Sequence, residues 1–208
     1  MTGIRKELDR RRRMKGSLFS AKNLALLGMF IALMLLLDMM GFGYIPIGPI
    51  AITTMHIPVI IGAVYGGKKY GIILGLAFGI SSWIKAVRGM SGIFTPAFIN
   101  PIVSVFPRFL MGFLTALLAD ALYKYRDKPL LFYGAPAFVG SMVNTVFVLG
   151  LLYILYLSEF TVALNLSGWE LFLMLATTGA VNGIPEALIA SAVTIPLMKA
   201  MKRKAGRS

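Results

Sequence analysis

Residues 131–157 read LFYGAPAFVGSMVNTVFVLGLLYILYL, a stretch without one Asp, Glu, Lys or Arg. At about 1.5 Å per residue, a helix of that length crosses a bilayer hydrocarbon core of roughly 30 Å with residues to spare. Similar runs lie on both sides of it, and together they predict helices over 22–40, 52–67, 70–87, 98–123, 131–157 and 169–199. The expected architecture is an all-α integral membrane protein with six transmembrane helices in residues 22–199, flanked by basic tails at 1–21 and 200–208. Composition agrees with this. Of 208 residues, 58% are apolar and 14% charged, too few polar side chains to clothe a soluble exterior. No small-residue cleavage pattern follows the first apolar run, so it reads as a span and not as a cleaved leader.

A net charge of +13 raises the question of nucleic acid, and the distribution of the charge answers it. Eight of the 21 Lys and Arg residues precede the first span, from Arg5 to Lys22. Lys68 and Lys69 occupy one short connection, Lys124, Arg126 and Lys128 another, and Lys199, Lys202, Arg203, Lys204 and Arg207 the C-terminal end. Basic residues in alternate connections and both tails follow the positive-inside pattern for an even number of spans. That places both termini in the cytoplasm of a multi-pass cell-membrane protein. Its basic tails face anionic lipid, and no nucleic-acid partner is expected. The connections expected outside, Gly41–Ala51, Arg88–Ala97 and Ser158–Gly168, carry Pro, Gly and aromatic residues. Pro46, Pro49 and Pro58 predict an irregular outer half for the second span.

The informative residues are those that ought not to sit in lipid. Counted from their cytoplasmic helix ends, Arg108, Glu186, Asn182, Lys85, Asp38, Asn144 and His56 all come out near one depth, roughly 18–26 Å up. An ionised side chain at the bilayer centre costs about 2.5–3.5 kcal/mol on insertion scales, so such groups pair or line a wet cavity. Arg108 with Glu186 and Asp38 with Lys85 are candidate pairs. A cavity open to the outside is the competing account, with Thr54 beside His56 in the same segment. Lys85 and Arg88 near its mouth favour a ligand carrying carboxylate or phosphate. Trp83, Tyr44, Phe94 and Trp169 either cover an apolar part of such a ligand or belong to an interfacial aromatic belt.

Little in the chain suggests catalysis. His56 is its one histidine and there is no cysteine, which leaves no disulfide, no thiolate site and no plausible metal centre. Ser81 and Ser82 lack a nucleophile elbow or an orienting acid. No phosphate-binding Gly-rich loop ending in Lys-Ser or Lys-Thr is present, and no cofactor is expected. On the first helix, Ala21, Ala25, Gly28 and Ala32 recur at spacings of four, three and four and share one face. Small residues there admit a second helix closely, whether from this chain or from another membrane subunit.

Several of these segments together resemble the substrate-binding S components of energy-coupling factor vitamin transporters. The likeness lies in AKNLA at 21–25, YIPIGPIAITTMHIPVIIGAVYGG at 44–67, Val105-Phe-Pro-Arg108 and Asn182-Gly-Ile-Pro-Glu186. It implies a vitamin-binding membrane subunit without its own motor. Such a subunit docks through Ala21 and Ala25, extended by Gly28 and Ala32, onto a membrane coupling protein bearing two ATPase subunits. Arg108, Asn182 and Glu186 match the family's ligand-side positions on helices four and six. The Thr-Thr-Met-His-Ile-Pro segment resembles the pantothenate-type branch, with folate or riboflavin as alternatives. An autonomous secondary transporter and an intramembrane enzyme are the readings outside the family.

Overall fold

The computed structural model describes residues 20–39, 44–47 and 50–205. The basic tails at 1–19 and 206–208 and the side chain of Tyr44 lie outside the described residues. Among the described residues the secondary structure is helical apart from one short hairpin. Helix α1, Ala21–Met39, buries Asn23, Leu27, Phe30 and Met34 on a single face. Strands β1, Tyr44–Ile47, and β2, Ile50–Thr53, pair antiparallel, with Ile47 opposite Ile50. Helices α2, His56–Gly66, and α3, Lys68–Val87, follow, separated by Gly67 at φ 77°. The expected helix over 52–67 is thereby corrected, because its first residues belong to β2. Pro46 would cost a helix interior a hydrogen bond and a clash with the preceding turn, and the recurring β-branched Ile residues suit an extended pair.

The helix expected over 98–123 is also corrected. It is broken into α4, Thr95–Phe98, α5, Pro101–Ser104, and α6, Phe106–Ala121. Pro96, Pro101 and Pro107 each stand at the start of one piece and lack the amide a continuous helix would need. Asn100 caps α5 by accepting the Ile102 amide on its side chain at 3.0 Å.

Two long helices complete the fold. Helix α7, Ala135–Leu164, is preceded by a π turn at Leu130–Gly134 and kinks at Tyr156. It runs well beyond the expected end at 157 and stops at Asn165, which takes a left-handed conformation at φ 52°. Helix α8, Gly168–Thr178, starts with a capping box between Ser167 and Glu170. It passes through a second π turn, Gly179–Gly183, into α9, Ile184–Ala205. Both π turns end two residues before a proline, Pro136 and Pro185. A proline ring clashes with the carbonyl four residues back, and widening that turn relieves the clash.

Four of these helical stretches are long and apolar enough to cross a membrane: Lys68–Val87, Pro101–Tyr125, Leu130–Leu164 and Gly168–Met201. Asn23–Met39 and His56–Gly66 are shorter apolar helices. Helices α3 and α6 form the most extensive contact and run antiparallel. Their backbones meet at glycines: a Cβ added to Gly71 would lie 2.1 Å from the Gly112 carbonyl oxygen. One added to Gly75 would lie 2.5 Å from the Arg108 carbonyl oxygen. This close approach, made possible by missing side chains, is the usual way helices associate where burial from water provides no drive. It also fixes the height of Arg108.

The apolar interior falls into two clusters. One joins α1, α2, α3, α6, α9 and the start of α7 with its π turn, around Met55, Tyr70, Phe78 and Met111. The other gathers Ala97, Val103, Val148, Leu152, Phe160, Leu171 and Leu175, and the cavity described next opens beside it.

Candidate functional site

Arg108 stands in the first turn of α6, just after the break that Pro107 imposes. Pro107 has no amide to give the carbonyl four residues back, which is that of Val103. The Arg108 Nη1 donates to that carbonyl at 2.9 Å, supplying the hydrogen bond the proline withholds. The guanidinium carbon also lies 5.3 Å from the Phe98 ring centre and 5.6 Å from that of Phe78. Guanidinium groups stack favourably on aromatic faces, more so away from water. Arg108 is only 6% exposed, and that backbone bond and those two rings are among the contacts that hold it.

From this anchored position Arg108 lines a cavity of about 180 Å³. Across it stand Asn144 on α7, Asn182 in the second π turn and Glu186 on α9, all buried. One cation, one carboxylate and two carboxamides thus converge from three membrane-length stretches. Asn144 Oδ1 has no hydrogen-bond partner among the described residues. A buried acceptor of this kind carries a desolvation cost of about 1–3 kcal/mol that an arriving N–H or O–H would remove. The rest of the wall is apolar, with Phe94 and Phe98 on one side and Val148, Leu149, Leu152 and Leu175 on the other. A second, apolar cavity of about 460 Å³ adjoins it, sharing Thr145, Leu149 and Leu175.

The other residues singled out in the sequence are placed elsewhere. Lys85 Nζ donates to Asp38 Oδ1 across the α1–α3 contact and does not line the cavity. His56 is buried at the start of α2, its Nε2 3.3 Å from Ser141 Oγ. Trp83 donates its indole N–H to the Ile99 carbonyl at 2.8 Å. Thr54 is half-buried and its carbonyl accepts the Ile57 amide, whereas Arg88 is exposed at the end of α3. Trp169 is exposed and stacks on Phe172. Phe94, alone of the aromatics named from the sequence, reaches the cavity among the described side chains.

Sequence reading missed Phe98, Thr145, Val148, Leu149, Leu152, Leu175, Thr178 and Gly183. A signal was available. Positions 144, 148 and 152 form one stripe of α7, and 175, 178, 182 and 186 form another along α8 and α9. Extending each polar position by one turn in either direction would have found the wall.

Ala21, Ala25, Gly28 and Ala32 all lie exposed on α1, and a Cβ added to Gly28 would meet nothing within 4 Å. Among the described residues the small-residue face is not used for packing within the chain.

A model of the ECF transporter substrate-specific component family matches residues 22–198. Over 201 residues the chain is 28% identical to the pantothenic acid transporter PanT of Lactococcus lactis subsp. cremoris (strain MG1363), an alignment covering 90% of this chain and 97% of that protein.

Proposed function

This chain belongs to the family of ECF transporter substrate-specific components, and from that premise we propose that it captures pantothenate in the cavity beneath Arg108 for ATP-driven uptake. The observation that carries the reading is the convergence of Arg108, Asn144, Asn182 and Glu186 on one small cavity. Pantothenate is a carboxylate joined through an amide to a diol. Arg108 meets the carboxylate with charge-assisted hydrogen bonds, which are shorter and stronger than neutral ones. The Asn144 carbonyl accepts from the amide N–H or a hydroxyl, Glu186 accepts from hydroxyls, and Asn182 offers both donor and acceptor. Phe94, Phe98 and the aliphatic wall cover the gem-dimethyl carbon. The similarity to a protein named as a pantothenic acid transporter supports the same choice of vitamin.

In this reading the four long apolar helices and the two shorter ones make six spans, and the basic connections support placing both termini in the cytoplasm. The chain works in the cell membrane with a membrane coupling protein and two ATPase subunits, and it catalyses nothing itself. Ala21, Ala25, Gly28 and Ala32 form the docking face, a role supported by their exposure.

Titration calorimetry on the purified chain tests the ligand. Pantothenate is expected to bind tightly without any partner, and riboflavin and folate to bind at least about a hundredfold more weakly, a gap of about 2.7 kcal/mol. Folded protein that ignores pantothenate would remove the assignment, and tight binding of one of the other two would reassign it. Docking has its own test. Ala25→Phe is expected to lower uptake by cells about tenfold or more while leaving binding by the isolated chain unchanged, because a ring on that face holds a partner helix away. Undiminished uptake would show that the coupling protein meets another surface.

A further inference from the structure

Helix α1 packs chiefly against α2 and α3, and among the described residues two residue pairs, Asn23 with Tyr70 and Asp38 with Lys85, tie it to α3 through polar bonds. Near the start of both helices the Tyr70 hydroxyl reaches Asn23, at 3.1 Å from Oδ1 and 3.3 Å from the carbonyl oxygen. Near the end of both, the Lys85 ammonium donates to the Asp38 carboxylate. Each bond joins residues 47 apart in sequence. The helices therefore run parallel and in step, with no slip between bonds about 22 Å apart along the axis. Between the bonds the contact is made by apolar residues, among them Leu27, Phe30 and Met34. Apolar contact holds rotation poorly in a bilayer, since lipid chains are as apolar as the residues they would replace. Hydrogen bonds and ion pairs are directional and do hold it.

Asn23, Leu27, Phe30 and Met34 each follow a member of the small-residue set, Ala21, Ala25, Gly28 and Ala32, by two positions. Two positions are about 200° around a helix. Fixing the first set inward therefore fixes the second set outward. A turn by one residue, about 100°, would swing the small residues aside and present neighbouring large ones such as Leu24 or Leu33, which are already exposed.

We propose that Asp38–Lys85 and Asn23–Tyr70 are a pair of clamps that set the rotation of α1, and so the face it offers a coupling subunit. Lys85 is then a positioning residue for docking and contributes no contact to the vitamin. The inference rests on the docking reading given above, but the clamp itself can be tested without it.

The chain contains no cysteine, so a single introduced thiol reports on the orientation of α1. In the purified full chain, maleimide is expected to label Ala25→Cys readily and Leu27→Cys slowly. Adding Asp38→Leu, Lys85→Met and Tyr70→Phe together removes both clamps without leaving a lone charge or a neutral polar pair in the membrane. Labelling of Leu27→Cys is then expected to rise about fivefold or more, as local opening frees the buried face. Uptake by the assembled transporter is expected to fall in parallel, with pantothenate binding kept within about twofold. Exchanging the charges, Asp38→Lys with Lys85→Asp in the presence of Tyr70, is expected to restore both protection and uptake. Protection that survives removal of both clamps would show that packing alone orients α1 and would overturn the proposal. Loss of pantothenate affinity with protection intact would overturn it too, by returning Lys85 to the ligand site. Should the unaltered chain fail to bind pantothenate, the functional reading falls while the labelling result stands on its own.

Discussion

Arg108→Ala is expected to abolish pantothenate binding, with affinity reduced about a hundredfold or more. Truncating one partner of a buried charge pair costs about 2–5 kcal/mol, because the other charge stays in a dry site without compensation. At about 1.4 kcal/mol per factor of ten, that range begins above tenfold and extends past a thousandfold. The placement of Arg108 argues for the upper part of it. Its guanidinium is held between Phe98 and Phe78 and tied to the Val103 carbonyl, so little ordering remains to be done when ligand arrives. Arg108→Lys keeps the charge but loses both the planar fork and the stacking, and is expected to bind with intermediate affinity. Calorimetry on the two variants, with thermal melting to follow stability, is the measurement. An affinity unchanged in Arg108→Ala would mean that the residue only repairs the helix break at Pro107.

The second large effect is expected from Gly75→Leu. The first carbon of the new side chain would fall 2.5 Å from the Arg108 carbonyl oxygen and 3.1 Å from the Phe109 Cα, both backbone atoms that cannot swing away. Helices α3 and α6 must separate, and forcing atoms into a filled interior costs about 1–3 kcal/mol or more. The damage is directed, since the carbonyl that moves belongs to the arginine of the cavity. Both melting temperature and affinity are expected to drop, whereas Gly28→Leu, on the open face of α1, is expected to change neither. Equal behaviour of the two variants would show that the α3–α6 approach is not what holds the site.

How much of this was legible in the sequence depends on what each residue's neighbours had to be. The long span around 131–157 was legible because its composition admits no solvent but lipid. The gathering of Arg108, Asn144, Asn182 and Glu186 was anticipated for a related reason: each is costly in hydrocarbon, and helical rise puts them at a common depth. Depth, however, says nothing about direction around a helix. The sequence offers Lys85 and Asp38 both as an ion pair and as groups of a shared cavity, and they do pair across the α1–α3 contact; which of the two accounts holds is a fact of packing that hydropathy does not carry. The prolines at 96, 101 and 107 were visible, but the apolar run through them reads as continuous when hydrophobicity is averaged. At the end of α7 the error ran the other way. Ser158 and Glu159 looked like a loop, whereas the helix simply continues to Leu164 with those residues exposed.

The π turn ahead of Pro185 amounts to one surplus residue wound into an otherwise regular rod. A π turn takes up that residue as a local bulge, so the helix on either side keeps the course of an unbroken one. Leu175 and Thr178 before the bulge and Glu186 after it would therefore still face the cavity if one residue between Gly179 and Gly183 were lost. Asn182 stands inside the bulge, and its carboxamide is the group whose direction depends on the extra residue. Shortening the chain there by one would thus alter a single polar contact and leave the remaining wall in place.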